Sequence, residues 1–544
     1  MPRDRVHPCL APVRSLSVDL EFGRARRGRP GAEPHRRVLP LAQMARDRHM
    51  SEKRSAVLDA GAVRSGAMWS AANTIFVKLV TIAITAIVLR IVTPREFGVF
   101  AVAATVYAIV SSFSDFGLGS CLQRRDFDPR KIGPTVVALA LVTTTSLGIA
   151  TMMMAGPLAT VMGAPDAAGA VRVLALSIIL NGVFTAPTAL AARDFRQRLV
   201  FSSSLVGFVP ANASLVLLAV HGDGTMAFAW SRVIGQLCSG AFLAWQLRAF
   251  VRPNIDRSQL KMILRFGVPL AGANLINFTF LNLDYIFVGH RMGPIVLGVY
   301  MLAFNTASWA TSVLSSTVNT VAMPAFSQVG KDETALRSAL ATAARSVGLV
   351  AFPISALTIA LAGPLITTVY GRQWTAAVPV LQILGAYGAL FVISLLFANL
   401  LVGTGRTAVL MAVQAGWLIL LLPAMWAGAA WDGLRGVATA HVVVVTVAIL
   451  PAYMILIRRI APGGPVAMLH ALKGPLMAAI VAGVIARLTE IVISQNIVAL
   501  LVGGLAGGLC YLVLSWGAIL EQVTAGGLKI LHHKSRHGSV PRVG

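Results

Sequence analysis

Runs of about twenty apolar residues, separated by short polar links, recur along the chain between residues 66 and 519. A helix of about that length crosses roughly 30 Å of hydrocarbon, so the pattern predicts about fourteen membrane helices. The expected spans begin near residues 66, 97, 133, 171, 202 and 226, then near 266, 296, 346, 377, 408 and 436, and finally near 473 and 497. Pro187, Pro210, Pro269, Pro353, Pro423 and Pro451 fall inside spans, where a proline kinks a membrane helix without ending it. The predicted fold class is an all-α polytopic membrane protein.

The pattern also repeats. "AGPLATVMG" at Ala155–Gly163 returns as "AGPLITTVYG" at Ala362–Gly371. Pro94, Gly98, Val99, Ala103 and Ser112 return 200 residues later as Pro294, Gly298, Val299, Ala303 and Ser312. "GDGTMAFA" at Gly222 corresponds to "WDGLRGVA" at Trp431. Matches in one order, with a slowly drifting offset, indicate two six-helix pseudo-repeats plus two C-terminal helices. An even number of helices per repeat relates the halves by an axis along the membrane normal. The expected divisions are a disordered basic segment over 1–60, an N-terminal six-helix bundle over 61–255 and a C-terminal bundle over 256–460. Two further helices over 461–520 and a cytoplasmic tail over 521–544 complete the chain.

Composition supports the membrane reading. The 544 residues are 56% hydrophobic and 12% charged, and mean hydropathy is +0.75. The net charge of +25 would suggest nucleic acid in a soluble protein, but its placement argues otherwise. Most lysines and arginines lie before the first span, in alternate loops such as "RRDFDPRK", "RDFRQR" and "RPNIDRSQLK", or in the C-terminal tail. The positive-inside rule then puts both termini in the cytoplasm, with no nucleic acid implied. "RARRGRPGAEPHRR" has no apolar stretch of a secretory signal. Residues 1–49 read either as an over-extended start before Met50 or as a basic tail touching anionic lipid. Cys9, Cys121, Cys238 and Cys510 are scattered, so neither a disulfide framework nor a metal site is expected.

Three stretches carry a family resemblance. "TPREFGVFAVAATVYAIVSSFSDFGLGSCLQRR" resembles the first hairpin of the polysaccharide-transporter branch of the multidrug/oligosaccharidyl-lipid/polysaccharide exporter superfamily. "NLDYIFVGHRMGPIVLGVYMLAF" is similar to the start of that family's second half, and "LAGPLITTVYGRQWTAAVPVLQIL" to the link between its ninth and tenth helices. The resemblance covers residues 60 to 460. It implies a bacterial inner-membrane flippase for undecaprenyl-pyrophosphate-linked oligosaccharide repeat units, serving exopolysaccharide, capsule or O-antigen synthesis. The partners it implies are the lipid-linked substrate, membrane lipids, and a polysaccharide polymerase with its chain-length machinery. The chain itself is expected to act as a monomer without a cofactor.

Polar residues inside spans are the candidate functional groups, because a central charge costs about 2.5–3.5 kcal/mol to insert. Lys78 shares an arc with Thr74, Thr81 and Thr85; Arg232 lines up with Gln236 and Ser239. These two cations are the candidates for a pyrophosphate. Asn274, Asn277, Asp284 and Tyr285 share one face of the seventh span. Asn305, Ser308, Ser312, Ser315, Ser316 and Asn319 form a stripe on the eighth. The expected substrate cavity comprises Lys78, Arg232, Asn274, Asn277, Asn305 and Ser312. Asp284 is the candidate coupling or gating residue, given the ion coupling that the resemblance implies. The plainer readings are helix–helix glue for the stripe, an ion pair between Lys78 and Asp284, a turn or cap at Asp115, and headgroup anchoring by Arg90 and Arg291.

Other chemistry finds little support. There is no GxxxxGK[ST] nucleotide motif, His221, His290, His441 and His470 are dispersed, and no nucleophile–base set is visible. A drug/cation antiporter or peptidoglycan-precursor flippase of the same fold remains the first alternative. An integral polysaccharide polymerase or ligase would need a large outer loop, and every outer loop here is short. A non-transporting scaffold leaves the intramembrane charges without a purpose.

Overall fold

A computed structural model describes residues 80–114, 117–123, 128–194, 196–247, 253–329 and 332–536. The basic N-terminal segment, Lys78 and Asp115 lie outside these residues. Helix α1 is described over Val80–Ile91. It is followed by α2 (Pro94–Ser114), α3 (Leu118–Gln123), α4 (Pro129–Met153), α5 (Ala155–Val161), α6 (Ala168–Arg193), α7 (Gln197–Val220) and α8 (Gly224–Leu247). The second half holds α9 (Arg257–Met292), α10 (Pro294–Val329), α11 (Glu333–Ala360), α12 (Ala362–Val369), α13 (Ala377–Gly403) and α14 (Thr407–Val444). A π-helical turn (Val445–Ile449) carries α14 into α15 (Leu450–Ile460); α16 (Gly464–Val492) and α17 (Asn496–Arg536) follow. No strand occurs among the described residues.

Nine helical stretches among the described residues are long and apolar enough to cross a membrane. One of them, Thr407–Ile460, contains two passes, because Asp432 (φ −142°) and Gly433 (φ 54°) leave the helical region and turn the chain back. Gly428 and Gly436 pack backbone to backbone across that turn, so a Cβ on either would strike the other. Outward-facing side chains such as Trp245, Val492, Leu505 and Val513 are exposed and apolar, as a lipid-facing surface requires.

The repeated phrase folds alike in both halves. Pro157 and Pro364 have no N–H to donate to the fourth residue back, so α4 and α11 end at Met153 and Ala360. The short helices α5 and α12 follow, each closed by a positive-φ glycine, Gly163 (75°) or Gly371 (105°). A 3-10 turn then leads into the next long helix, through Pro165–Ala167 in one half and Arg372–Trp374 in the other. Pro94 and Pro294 each open the second helix of a half, and Asp223–Gly224 and Asp432–Gly433 each lead into the sixth.

Two helices start earlier than their apolar runs. Asp256 accepts from the Ser258 N–H and starts α9; Asp332 accepts from the Thr334 and Ala335 N–H groups and starts α11. Bonds from Ser258 and Thr334 to these exposed carboxylates hold both below the usual carboxylate range. The span expected over 346–368 is therefore α11 and α12, with its break at Leu361. The main hydrophobic core joins both halves, with Leu89, Leu174, Tyr300, Trp374 and Phe397 fully buried in it. Gly98 and Gly298 let α2 and α10 cross at closest approach; a Cβ on Gly98 would fall on the Pro294 carbonyl.

Candidate functional site

A cavity of about 1010 Å³ lies within the first half, lined by α1, α2, α3, α4, α6, α7 and α8. It runs from Thr81, Thr85 and Phe100 to Ser120 and Gln123, beyond the C-terminal end of α2. Arg232 on α8 is exposed to it, with its guanidinium 4.4 Å from the centre of the Tyr107 ring on α2. The ring face attracts the cation and fixes its position. One turn further along α8, Gln236 donates to the Ser177 carbonyl (3.1 Å) and to Asn181 Oδ1 (2.5 Å), which anchors α8 to α6. Phe100 and Phe228 stack with centroids 4.8 Å apart and form an apolar wall.

At the end of the molecule that carries Pro94 and Pro294, the halves are tied together in a way that follows the repeat. The carbonyl of Val161, at the end of α5, lies 2.6 Å from Nδ1 of His290 in the last turn of α9. A carbonyl only accepts, so this nitrogen carries the proton. Arg90 occupies the equivalent place in α1. Its Nε donates to the carbonyl of Val369 (3.1 Å), at the end of α12, and a second nitrogen donates to Thr368 O. Val161 and Val369 hold the same position in the repeated phrase, two residues before its glycine. The second half adds Gln373, donating to Leu89 O (2.7 Å) and Val92 O (3.0 Å), and Trp374 Nε1, donating to Leu89 O (2.8 Å). All these carbonyls lie in or just beyond a last helical turn, where no intrahelical donor is available. Arg90, expected at a headgroup, is instead part of this latch.

A third polar group is buried in the second half. Asp284 on α9, Tyr300 on α10 and His441 on α14 are 4%, 0% and 4% exposed. Tyr300 donates its hydroxyl to Asp284 Oδ2 (2.9 Å), and the Tyr285 N–H donates to Oδ1 (3.0 Å). His441 Nε2 lies 3.1 Å from the same hydroxyl oxygen. Because that hydroxyl hydrogen is already given to the carboxylate, the geometry suits Nε2–H as donor. Nδ1 then keeps a lone pair with no partner among the described residues. Tyr387 covers the imidazole with its ring centre 5.1 Å away. The group is a connected line from carboxylate to imidazole, enclosed by aromatic rings.

Of the residues singled out from sequence, Arg232 lines the cavity, together with Thr81, Thr85, Gln236 and Ser239. Lys78 falls outside the described residues. Asn274 is exposed on α9 and Asn305 half-buried on α10; neither is among the described lining. The side chains of Asn277 and Ser312 lie outside the described residues. Asp284 is buried away from the cavity, against Tyr300. Sequence reasoning missed Tyr107, Tyr300 and His441 as partners. All three sit in apolar runs, and only the packing of distant helices brings them to their polar neighbours.

Residues 87–379, just over half of the chain, match the family described as polysaccharide biosynthesis protein. The chain belongs to this family. It is 24% identical over 404 residues to the lipopolysaccharide biosynthesis protein WzxC of Escherichia coli (strain K12), covering 72% of this chain and 80% of that one. It is 29% identical over 345 residues to the succinoglycan biosynthesis transport protein ExoT of Rhizobium meliloti (strain 1021), covering 63% and 68%. The teichuronic acid biosynthesis protein TuaB of Bacillus subtilis (strain 168) is 24% identical over 467 residues, covering 83% and 95%. Among solved structures the fold matches lipid II flippase MurJ in an inward closed conformation, at a TM-score of 0.68 and 13% identity, over 83% of this chain and 99% of that one. An inward-facing multidrug resistance MATE family transporter matches at 0.55 and 17% identity, over 73% and 96%. The family member described here is thus an all-α, multi-pass membrane protein with a transporter fold.

Proposed function

We propose that the chain is a flippase that carries undecaprenyl-pyrophosphate-linked oligosaccharide repeat units across the bacterial inner membrane by alternating access, and that it is not an enzyme. The observation that carries the reading is a roomy first-half cavity holding a positioned arginine, in a member of a polysaccharide biosynthesis family whose Pro94 end is latched shut. The positive-inside rule places the basic starts of α7 and α9 (Arg196 and Arg198; Arg257, Lys261 and Arg265) in the cytoplasm, with both termini. The latched end then faces the periplasm, and the cavity takes its load from the cytoplasmic leaflet.

In this reading Arg232 and Lys78 hold the pyrophosphate. Asn274, Asn277, Asn305 and Ser312 meet the substrate from the second half once the halves rock apart. Release requires the latch to break, and the emptied carrier must close it again. The Asp284–Tyr300–His441 line is the proposed coupling element: it alters the packing of α9, α10 and α14 when a proton or cation binds. A pyrophosphate carrying about two negative charges moves outward downhill by roughly 4–5 kcal/mol per 100 mV, so no nucleotide motor is required. A polysaccharide polymerase and its chain-length machinery would receive the product. The test is polymer export in cells carrying Arg232→Ala. Export should fall at least tenfold while the protein still inserts; normal export would remove the cation from the mechanism.

A further inference from the structure

One amide in the first-half cavity has its orientation settled and both of its hydrogens unspent. Asn181 stands midway along α6 and lines the cavity. A chain of bonds that starts at a backbone carbonyl fixes it. The carbonyl of Ser177 only accepts, so the end of Gln236 that meets it at 3.1 Å is the nitrogen, Nε2. That nitrogen gives its other hydrogen to Asn181 at 2.5 Å, so the atom it meets is the oxygen, Oδ1. The Asn181 NH2 is therefore the end turned from Gln236. It finds no acceptor among the described residues, and it is not one of their sealed, partnerless atoms, so it opens on the cavity.

The helices that carry the pair are closely packed. Gly182 brings α6 against α4, where a Cβ would fall on Thr144 Oγ1, and Gly207 and Gly235 pack α7 on α8. Asn181 thus offers two N–H donors from a rigid position.

What these donors meet follows from where they sit. Gln236 lies one turn along α8 from Arg232, which in the proposed function holds the pyrophosphate with Lys78. The diphosphate of that substrate has two neighbours. One is the polyprenyl chain, a hydrocarbon without an acceptor. The other is the first sugar, whose hydroxyl and ring oxygens accept. Once the substrate has displaced water, an N–H without an acceptor is costly, so a ligand lacking the matching oxygen is disfavoured.

We propose that Asn181 is a specificity residue that donates to an oxygen of the lipid-proximal sugar, and that Gln236 is its positioning residue. The proposal rests on the flippase reading.

The full-length protein should be reconstituted in liposomes with radiolabelled undecaprenyl-pyrophosphate glucose or galactose, whichever is carried faster, and with the monodeoxy analogues of that sugar. An impermeant pyrophosphatase reads the amount in the outer leaflet. In the unmodified protein one deoxy analogue should show a KM about fivefold above that of the parent sugar, the effect of one hydrogen bond. Asn181→Ala should raise the KM of the parent sugar about fivefold, change kcat little, and erase the difference between parent and deoxy sugar. Gln236→Glu has no N–H, so its carboxylate draws the Asn181 NH2 away from the cavity; it should erase the same difference. Sugar-free undecaprenyl pyrophosphate should compete equally well in the unmodified protein and in Asn181→Ala. The deoxy comparison in the unmodified protein holds whether or not a variant folds. No deoxy penalty there, or a penalty that persists in Asn181→Ala, would overturn the role of Asn181 while leaving a flippase. Weaker competition by the sugar-free lipid in Asn181→Ala would put the amide on the diphosphate and overturn the sugar assignment. A penalty retained in Gln236→Glu would overturn the positioning role. Transport of no probe would overturn the flippase reading and this assignment with it.

Discussion

Cutting the latch at the Pro94 end should open the molecule by an amount that can be worked out bond by bond. Gln373→Ala removes two hydrogen bonds, to Leu89 O and Val92 O, and Arg90→Ala removes the pair to Thr368 O and Val369 O. His290→Ala removes one, to Val161 O. Each such bond contributes about 1 kcal/mol net. Gln373→Ala therefore shifts the closed–open equilibrium by ~2 kcal/mol, about 30-fold, and His290→Ala by about fivefold. A cysteine at Thr85, which lines the cavity, reports the opening once Cys9, Cys121, Cys238 and Cys510 are replaced by serine. Its labelling by an impermeant maleimide applied to the Pro94 face should accelerate in the order Gln373→Ala, then His290→Ala, then the parent protein. Gln373→Glu, which keeps the shape but loses both donors, should behave as the alanine does. Unchanged labelling in Gln373→Ala and Arg90→Ala alike would show that these bonds do not hold the halves together.

Other consequences follow from the same geometry. Tyr107→Leu removes the cation–π contact under Arg232, worth ~0.5–1 kcal/mol, and should raise the apparent KM for substrate two- to fivefold with little change in kcat. Gly98→Leu drives a side chain into the Pro294 carbonyl; overpacking of ~1–3 kcal/mol should lower the melting temperature in detergent and speed labelling at Thr85→Cys. Tyr300→Phe strands Asp284 and His441 at a cost of ~1–3 kcal/mol and should abolish dependence of flipping on an imposed pH or sodium gradient; retained dependence would remove this line from coupling. The Asp332 carboxylate lies below its ordinary value of 3.8, so its cap is fully effective above that value and is lost as pH falls below it. The difference in melting temperature between the parent protein and Asp332→Asn should stay constant from pH 8 to 5 and shrink below about 4.

The helices were legible because a membrane span must satisfy its backbone internally and be apolar along its length, which a single chain records. The repeat was legible for a related reason. Glycine and proline at Gly98, Pro157, Gly163 and their counterparts answer to backbone geometry, and the same geometry recurs in each half. Helix starts were less visible: Asp256 and Asp332 open α9 and α11 in water, ahead of the apolar stretch that marks the span. Partnerships between distant helices were not visible at all. Arg90 looked like any interfacial arginine, since the carbonyl it meets belongs to a residue 279 positions away. Asp284 stood out as costly, yet its partners Tyr300 and His441 sit in apolar runs and declare themselves only when α9, α10 and α14 pack. Arg232 was legible because a charge in hydrocarbon needs a reason; its contact with the Tyr107 ring was not, because it forms only when α2 and α8 pack.

The most direct test is flipping itself. Purified protein in liposomes should carry a fluorescent undecaprenyl-pyrophosphate oligosaccharide from one leaflet to the other, followed by quenching with an impermeant reductant. An imposed potential negative on the loading side should speed the transfer, and Arg232→Ala should reduce it at least tenfold. Transfer no faster than in protein-free liposomes, or equal transfer by Arg232→Ala, would contradict the account.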